Sequence, residues 1–199
     1  MEQLDALWTK VDRIYLSARD CADDHRDESA WVRVVDDVLR VAMDDEDSNP
    51  LLRVHSIQTQ AIDPVFVPKH PSQSFAKKAD FALTLGKQQD AVKRALRADP
   101  DRPLSQMTDA ATSTVPLVCG VEVKEQGGGY NEAIMQLAVW SAAGLARLEG
   151  LWKDAGVGTV EEGMMPFVGL TVVGHEWRLR IAWKERAEDG DGDVVSLAL

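Results

Sequence analysis

The feature that most constrains this chain is the run Val115-Pro116-Leu117-Val118-Cys119-Gly120-Val121-Glu122-Val123-Lys124. It is short, rich in β-branched residues, and bounded by Pro116 and the glycine triplet 127–129. Such a run reads as a buried strand. Strand side chains alternate between faces, so Leu117, Cys119, Val121 and Val123 share one face and Val118, Gly120, Glu122 and Lys124 the other. Glu122 and Lys124 then stand about 6.6 Å apart along the strand. Taken alone, the pair has two readings: a strand tip that surfaces into water, or a charged pair kept for chemistry.

The remaining elements frame this strand. Leu4, Leu7, Trp8, Val11, Ile14 and Tyr15 recur at three- and four-residue steps and predict an amphipathic helix over 2–19. The 23–27 segment offers N-cap residues for a second helix with Trp31, Val34, Val35, Val38, Leu39 and Ala42 on its apolar stripe. Glu28 falls in its first turn, where the helix dipole favours a carboxylate. The acidic run 44–50 reads as a solvated loop and helix stop, with metal binding as a second reading.

Residues 51–60 alternate as a strand. Pro64 and Pro68 bracket Val65-Phe66-Val67, and 70–74 reads as a loop. Residues 78–85 predict another strand, with Phe81, Leu83 and Leu85 facing one way and Asp80, Ala82 and Thr84 the other. Asp80 opens that strand, where a lone acid is also an ordinary turn or cap residue. Residues 88–97 predict a basic helix with Ala91, Ala95 and Leu96 inward. The polar, small segment 104–114 reads as a surface connection.

The longest helix is expected over 130–153, with Ile134, Leu137, Ala138, Trp140 and Leu145 on its buried side and Ala142-Ala143-Gly144 permitting close approach to a sheet. Gln136 lies among these apolar positions, either as a partnered buried amide or as exposed filler. Residues 167–173 and 176–183 predict a hairpin around Gly174-His175. The run 189–193 is like the start of a calcium loop, but Val194 stands where that loop needs glycine, so a hairpin turn is the reading. Residues 194–199 close the chain as a last strand. The order predicts one α/β domain over 1–199, with an N-terminal helical part at 1–45, a core at 51–184 and a mixed central sheet flanked by helices.

Composition narrows the functional classes. The N-terminus has neither a basic segment nor an apolar core, so no signal peptide is expected. Cys21 and Cys119 form no zinc or redox spacing, and the four histidines are scattered. An intracellular protein, nuclear or cytoplasmic and not secreted or membrane-spanning, is the expectation. The net charge of −11 argues against tight binding to a polyanion. It is uneven: residues 1–50 carry a net of −8, residues 185–199 a net of −4, and residues 69–102 a net of +4. The basic segment reads either as a solvated helix with its flanks or as a local track for a polyanion.

An Asp opening one strand, Glu-x-Lys ending the next, and an inward Gln on the following helix form a set. In this the chain resembles the PD-(D/E)XK nuclease superfamily, with its restriction-endonuclease-like fold, and more narrowly its fungal group. The narrower likeness is carried by Glu28-Ser29-Ala30-Trp31, Ala79-Asp80-Phe81-Ala82-Leu83, Val121-Glu122-Val123-Lys124, Gln136-Leu137-Ala138-Val139-Trp140 and Val173-Gly174-His175-Glu176-Trp177. The resemblance spans about residues 20–184.

It implies a Mg²⁺- or Mn²⁺-dependent nuclease hydrolysing phosphodiester bonds of nucleic acid, DNA foremost. Asp80 and Glu122 would ligate the metal, with the Val123 carbonyl as a third ligand and Glu28 as an outer carboxylate. Lys124 would hold the attacking water or the developing charge, and Gln136 would hydrogen-bond into the site. The chain departs from the pattern in four places. Ala79 stands where a proline is usual, and Trp140 replaces the tyrosine of a QxxxY motif. The stretch between Asp80 and Glu122 implies an inserted basic helix. The group's final helix has no counterpart, as in a shortened member or a trimmed chain. Two rivals stand beside this reading: a catalytically idle nuclease fold that binds a protein partner, and an unrelated α/β domain with structural charges.

Overall fold

A computed structural model describes residues 2–43, 51–68, 79–87, 89–156, 165–186 and 193–198. The elements are α1 (Glu2–Asp23), α2 (Glu28–Met43), β1 (Leu52–Ser56), β2 (Phe81–Leu85), α3 (Asp90–Ala98), β3 (Leu117–Lys124), α4 (Tyr130–Ala155), β4 (Phe167–Val173), β5 (Glu176–Arg186) and β6 (Asp193–Ala198). The strands form one sheet in sequence order. All neighbours are antiparallel except β3 and β4, which are parallel. A parallel pair needs a crossover, and α4 supplies it. The sheet is therefore mixed, and the fold is the expected restriction-endonuclease-like α/β type.

Alternation along the strands sorts the core onto two faces. Phe81, Leu83, Cys119, Val121, Val123 and Val172 pack against Trp31, Val34, Val35 and Leu39 of α2. Ala82, Leu117, Phe167 and Ala182 pack against Leu137, Trp140, Ala143 and Leu145 of α4. Simple alternation predicts Leu117 on the face of Cys119 and Val118 on that of Gly120; the β2–β3 register shifts between Leu83 and Thr84, which turns Leu117 to the α4 core and Val118 to the α2 core. Asp27 starts α2, its Oδ1 accepting the Ala30 N–H at 3.0 Å. Gly156 ends α4 at φ 66°, a left-handed conformation that glycine takes without a Cβ penalty.

The distance of α4 from the sheet is set by glycine. Gly120 and Gly169 are register partners on the α4 face. A Cβ on Gly120 would meet the Trp140 ring at 2.5 Å, and one on Gly169 would meet Leu137 at 2.7 Å. Leu137 and Trp140 thus sit on a patch of bare backbone. Trp140, in the place of the QxxxY tyrosine, is a fully buried core residue here, edge-on to Phe167 at 5.2 Å. Gly144 repeats the device from the helix side, where a Cβ would stand 2.8 Å from Phe167. Gly120→Ala is expected to cost about 1–3 kcal/mol through overpacking against a rigid ring. Urea melts check this: the midpoint falls at constant slope, and a smaller residue at 140 recovers part of the loss.

Four further expectations change. The 104–114 segment is no surface connection, because Leu104, Ser105, Gln106, Met107 and Thr112 are buried. Its polar groups satisfy one another, which permits burial. Ser105 Oγ donates to the Thr112 carbonyl at 2.8 Å and accepts the Met107 N–H at 3.1 Å, and Thr112 Oγ1 donates to Gln60 Oε1 at 2.7 Å. In α3 the buried residue is Val92, whereas Ala91 is exposed and Ala95 and Leu96 are half-buried. In α1 the helix forms but most of its apolar stripe stays in solvent, with Leu4 76%, Trp8 71% and Tyr15 62% exposed, while Ile14 and the Ala18–Ala22 end reach the core. The strand from residue 51 ends at Ser56: the Ile57 N–H makes one more in-register bond, to the Asp80 carbonyl at 2.8 Å, and the chain then turns at 58–59. The expectations for 44–50, 70–74 and 189–192 lie outside the described residues.

Candidate active site

β2 and β3 bring the predicted residues to one end of the sheet. Pairing Phe81 with Val121 and Ala82 with Gly120 sets Asp80 beyond the last rung, on the Gly120 and Glu122 side. Its main chain holds it there, the Asp80 N–H donating to the Val121 carbonyl at 3.0 Å. Its side chain then extends the ladder. Asp80 Oδ2 accepts the Val123 N–H at 2.8 Å, and Oδ1 accepts Gln58 Nε2 at 2.7 Å. Val123 joins the cluster through its main chain alone, since its side chain is buried in the opposite core.

Glu122 is 1% exposed. Its Oε1 lies 3.2 Å from Lys124 Nζ, and its Oε2 is buried with no hydrogen-bond partner. Lys124 Nζ also donates to Glu28 Oε2 at 2.9 Å. α2 therefore delivers Glu28 across the sheet end to the same ammonium. The turn after β4 holds this end in place: the Gly174 N–H donates to the Lys124 carbonyl at 3.0 Å, and His175 meets Trp31 edge-on at 5.0 Å.

The electrostatics follow from burial. Desolvation, helped by the nearby Asp80 charge, pushes the Glu122 carboxyl up to about 8, against the charge and hydrogen bond of Lys124, which favour its ionised form. Asp80 is raised too, chiefly by desolvation, against hydrogen bonds from Gln58 and Val123 that favour its charged form. Burial presses the Lys124 ammonium downward, but the Glu28 hydrogen bond and the Glu122 charge outweigh it, and the net shift is upward. Two carboxyls that resist ionising beside each other favour a cation between them.

Gln136 is not drawn into this network. It is half-buried on α4, its Oε1 has no hydrogen-bond partner, and it is absent from the groups that set the charges of Asp80, Glu122 and Lys124. Gln58 is the residue that sequence reasoning passed over. It lies in a turn after β1, and nothing in its local pattern marks it as a partner for Asp80.

A mixed sheet with a β3–α4–β4 crossover, and acids and a lysine gathered at one sheet end, defines a restriction-endonuclease-like protein. The chain matches the PD-(D/E)XK nuclease superfamily over residues 2–197 and belongs to it. The fungal group within it rests on the sequence motifs alone. No curated protein and no solved structure matches the chain.

Proposed function

We propose that this chain is a metal-dependent nuclease that hydrolyses phosphodiester bonds of nucleic acid, with DNA the first substrate to test. The observation that carries this is the buried Glu122, with an unpartnered oxygen, set between Asp80 and Lys124. Asp80 and Glu122 would hold Mg²⁺ or Mn²⁺, with the Val123 carbonyl as a third protein ligand and Glu28 further out. Among the described residues no group of three His, Cys, Asp or Glu side chains is arranged to hold a metal. Mg²⁺ does not require one, since it commonly takes one or two carboxylates and keeps its waters.

When bound, the metal would polarise the phosphate and make a coordinated water more acidic. The chain's own residues do the rest. Glu28 keeps Lys124 protonated and aimed at the cluster, so its ammonium meets the charge that develops at phosphorus. Gln58 and the Val123 N–H hold the Asp80 carboxylate in one orientation.

Calorimetric titration with Mg²⁺ or Mn²⁺ tests the site. Asp80→Ala and Glu122→Ala are each expected to weaken binding by at least about tenfold. A metal must displace the Glu122 proton, so affinity falls as pH drops below about 8. Titration in two buffers of different ionisation enthalpy reads the released proton. Binding indifferent to both substitutions sinks the metal site.

The exposed apolar face of α1 favours a second reading, a catalytically idle nuclease fold that binds a protein partner. A plasmid and single-strand cleavage assay separates the two. Metal binding without cleavage selects the idle fold. No helix among the described residues is long and apolar enough to cross a membrane.

A further inference from the structure

Strand register carries more charge onto the face that holds Glu122. Glu122 pairs with Thr171 on β4, and Thr171 with Arg178 on β5. The neighbouring row is Gly120, Gly169 and Arg180. Paired residues send their side chains to the same face, so both arginines stand on the α4 side of the sheet, beside the carboxylate cluster. Two strand spacings, about 10 Å, separate Arg178 from Glu122.

The two guanidiniums converge on one oxygen. The Tyr130 hydroxyl, at the first residue of α4, accepts Arg178 Nη1 at 2.6 Å and also accepts Arg180 Nη2. The guanidinium carbons lie 4.5 Å and 5.3 Å from the Tyr130 ring centroid. Arg180 is 4% exposed, and its Nε donates to Thr171 Oγ1 at 3.3 Å. Among the described residues no carboxylate lies within ion-pair distance of Arg180. Arg178 is paired with Glu176, an exposed residue at 2.6 Å.

Two cations held against one phenol repel each other, and a buried guanidinium without an anion is costly. Such a pair is organised for an anionic ligand. α4 adds to this, because Gly129 at its N-cap supplies no side-chain bond to the first-turn N–H groups. Glu132 is the acid in that turn.

We propose that Arg178, Arg180 and Tyr130 form a clamp for a backbone phosphate of the nucleic-acid strand being cut. The clamp rests on the nuclease reading for its substrate class. At about 3.4 Å of rise per nucleotide, the offset from Glu122 places that phosphate within about three nucleotides of the cleaved bond. Guanidiniums suit the task, since their planar fork matches phosphate oxygens in pairs. The clamp also answers the net charge of −11, by placing positive charge locally at the site. The described part of the basic 69–102 segment does not do so, because α3 follows the end of β2 remote from Asp80.

The experiment compares wild type with Arg178→Gln, Arg178→Lys and Tyr130→Phe. Arg180 is left intact, because its burial makes its removal a folding risk, and thermal melts confirm that each variant folds. Cleavage kinetics are paired with fluorescence anisotropy of a short labelled oligonucleotide, as single strand and as duplex, over a range of salt. Arg178→Gln is expected to raise KM and Kd together by about tenfold with kcat little changed, and to reduce the salt slope by about one. Arg178→Lys recovers part of the loss, and Tyr130→Phe weakens binding in the same sense but less. If wild type cleaves and Arg178→Gln leaves KM, Kd and salt slope unchanged, the clamp is overturned and the nuclease stands. If wild type binds without cleaving and Arg178→Gln loses binding, the clamp stands and the active nuclease falls. A wild type that neither binds nor cleaves overturns both.

Discussion

Replacing Lys124 with methionine is expected to lower kcat for phosphodiester cleavage by about 10³-fold, or ~4 kcal/mol of transition-state stabilisation. Methionine keeps an unbranched stem of about the same length in the buried slot, with sulfur in place of one methylene, and removes the ammonium. The fold is expected to tolerate this, because Glu122 is not left as a naked charge. Its carboxyl, held up at about 8 by desolvation, is protonated at neutral pH. Metal binding survives, since the lysine and a cation compete for the same carboxylate. Single-turnover cleavage with saturating Mg²⁺, alongside calorimetry on the same sample, separates the two effects. A variant that binds metal and cleaves at the wild-type rate would remove Lys124 from the reaction.

Glu122→Gln is expected to stabilise the metal-free fold while abolishing metal-dependent cleavage. The folded protein keeps a proton on Glu122 to about pH 8, whereas the unfolded chain releases it near 4.5. The stabilising effect of that proton is complete below the lower value and disappears as pH rises through the upper one. Asp80, also raised, acts in the same direction. Lys124 does not interfere, because its upward shift acts only above its ordinary 10.5. Glutamine carries no charge to desolvate, so its melting temperature stays flatter than that of wild type. The gap at pH 9 is expected to reach a few kcal/mol, or roughly 5–10 °C in a chain of this size. Mg²⁺ closes the gap by stabilising wild type alone. Melting curves of metal-free wild type that are level from pH 5 to 9 would show that Glu122 ionises normally in the fold.

Much of this site can be read from local pattern, because strand alternation is a local property. Glu122, Lys124 and Gly120 share a face by counting in twos, and so do Asp80, Ala82 and Thr84. The helices around them follow from apolar spacing with equal directness. Gly120 is different. Its place in the pattern is visible, but the Trp140 ring above it is twenty residues away, and only packing explains why a side chain cannot fit. The α1 stripe shows the opposite failure, since amphipathic spacing predicts a helix but not that anything will cover it. Gln106 and Ser105 mislead for a third reason. Polar residues look exposed in a sequence, yet hydrogen bonds among themselves let them fill a core.

The chain's order of residues therefore determined which side chains could share a face and which helices could form, because both depend on neighbours a few positions apart. Tertiary structure decided which faces met. Register set Asp80 beside Glu122 and Arg178 on the row of Glu122. Burial turned an ordinary glutamate into one that holds its proton to about 8. Lateral pairing and desolvation join residues far apart in the chain, and no local pattern carries either quantity.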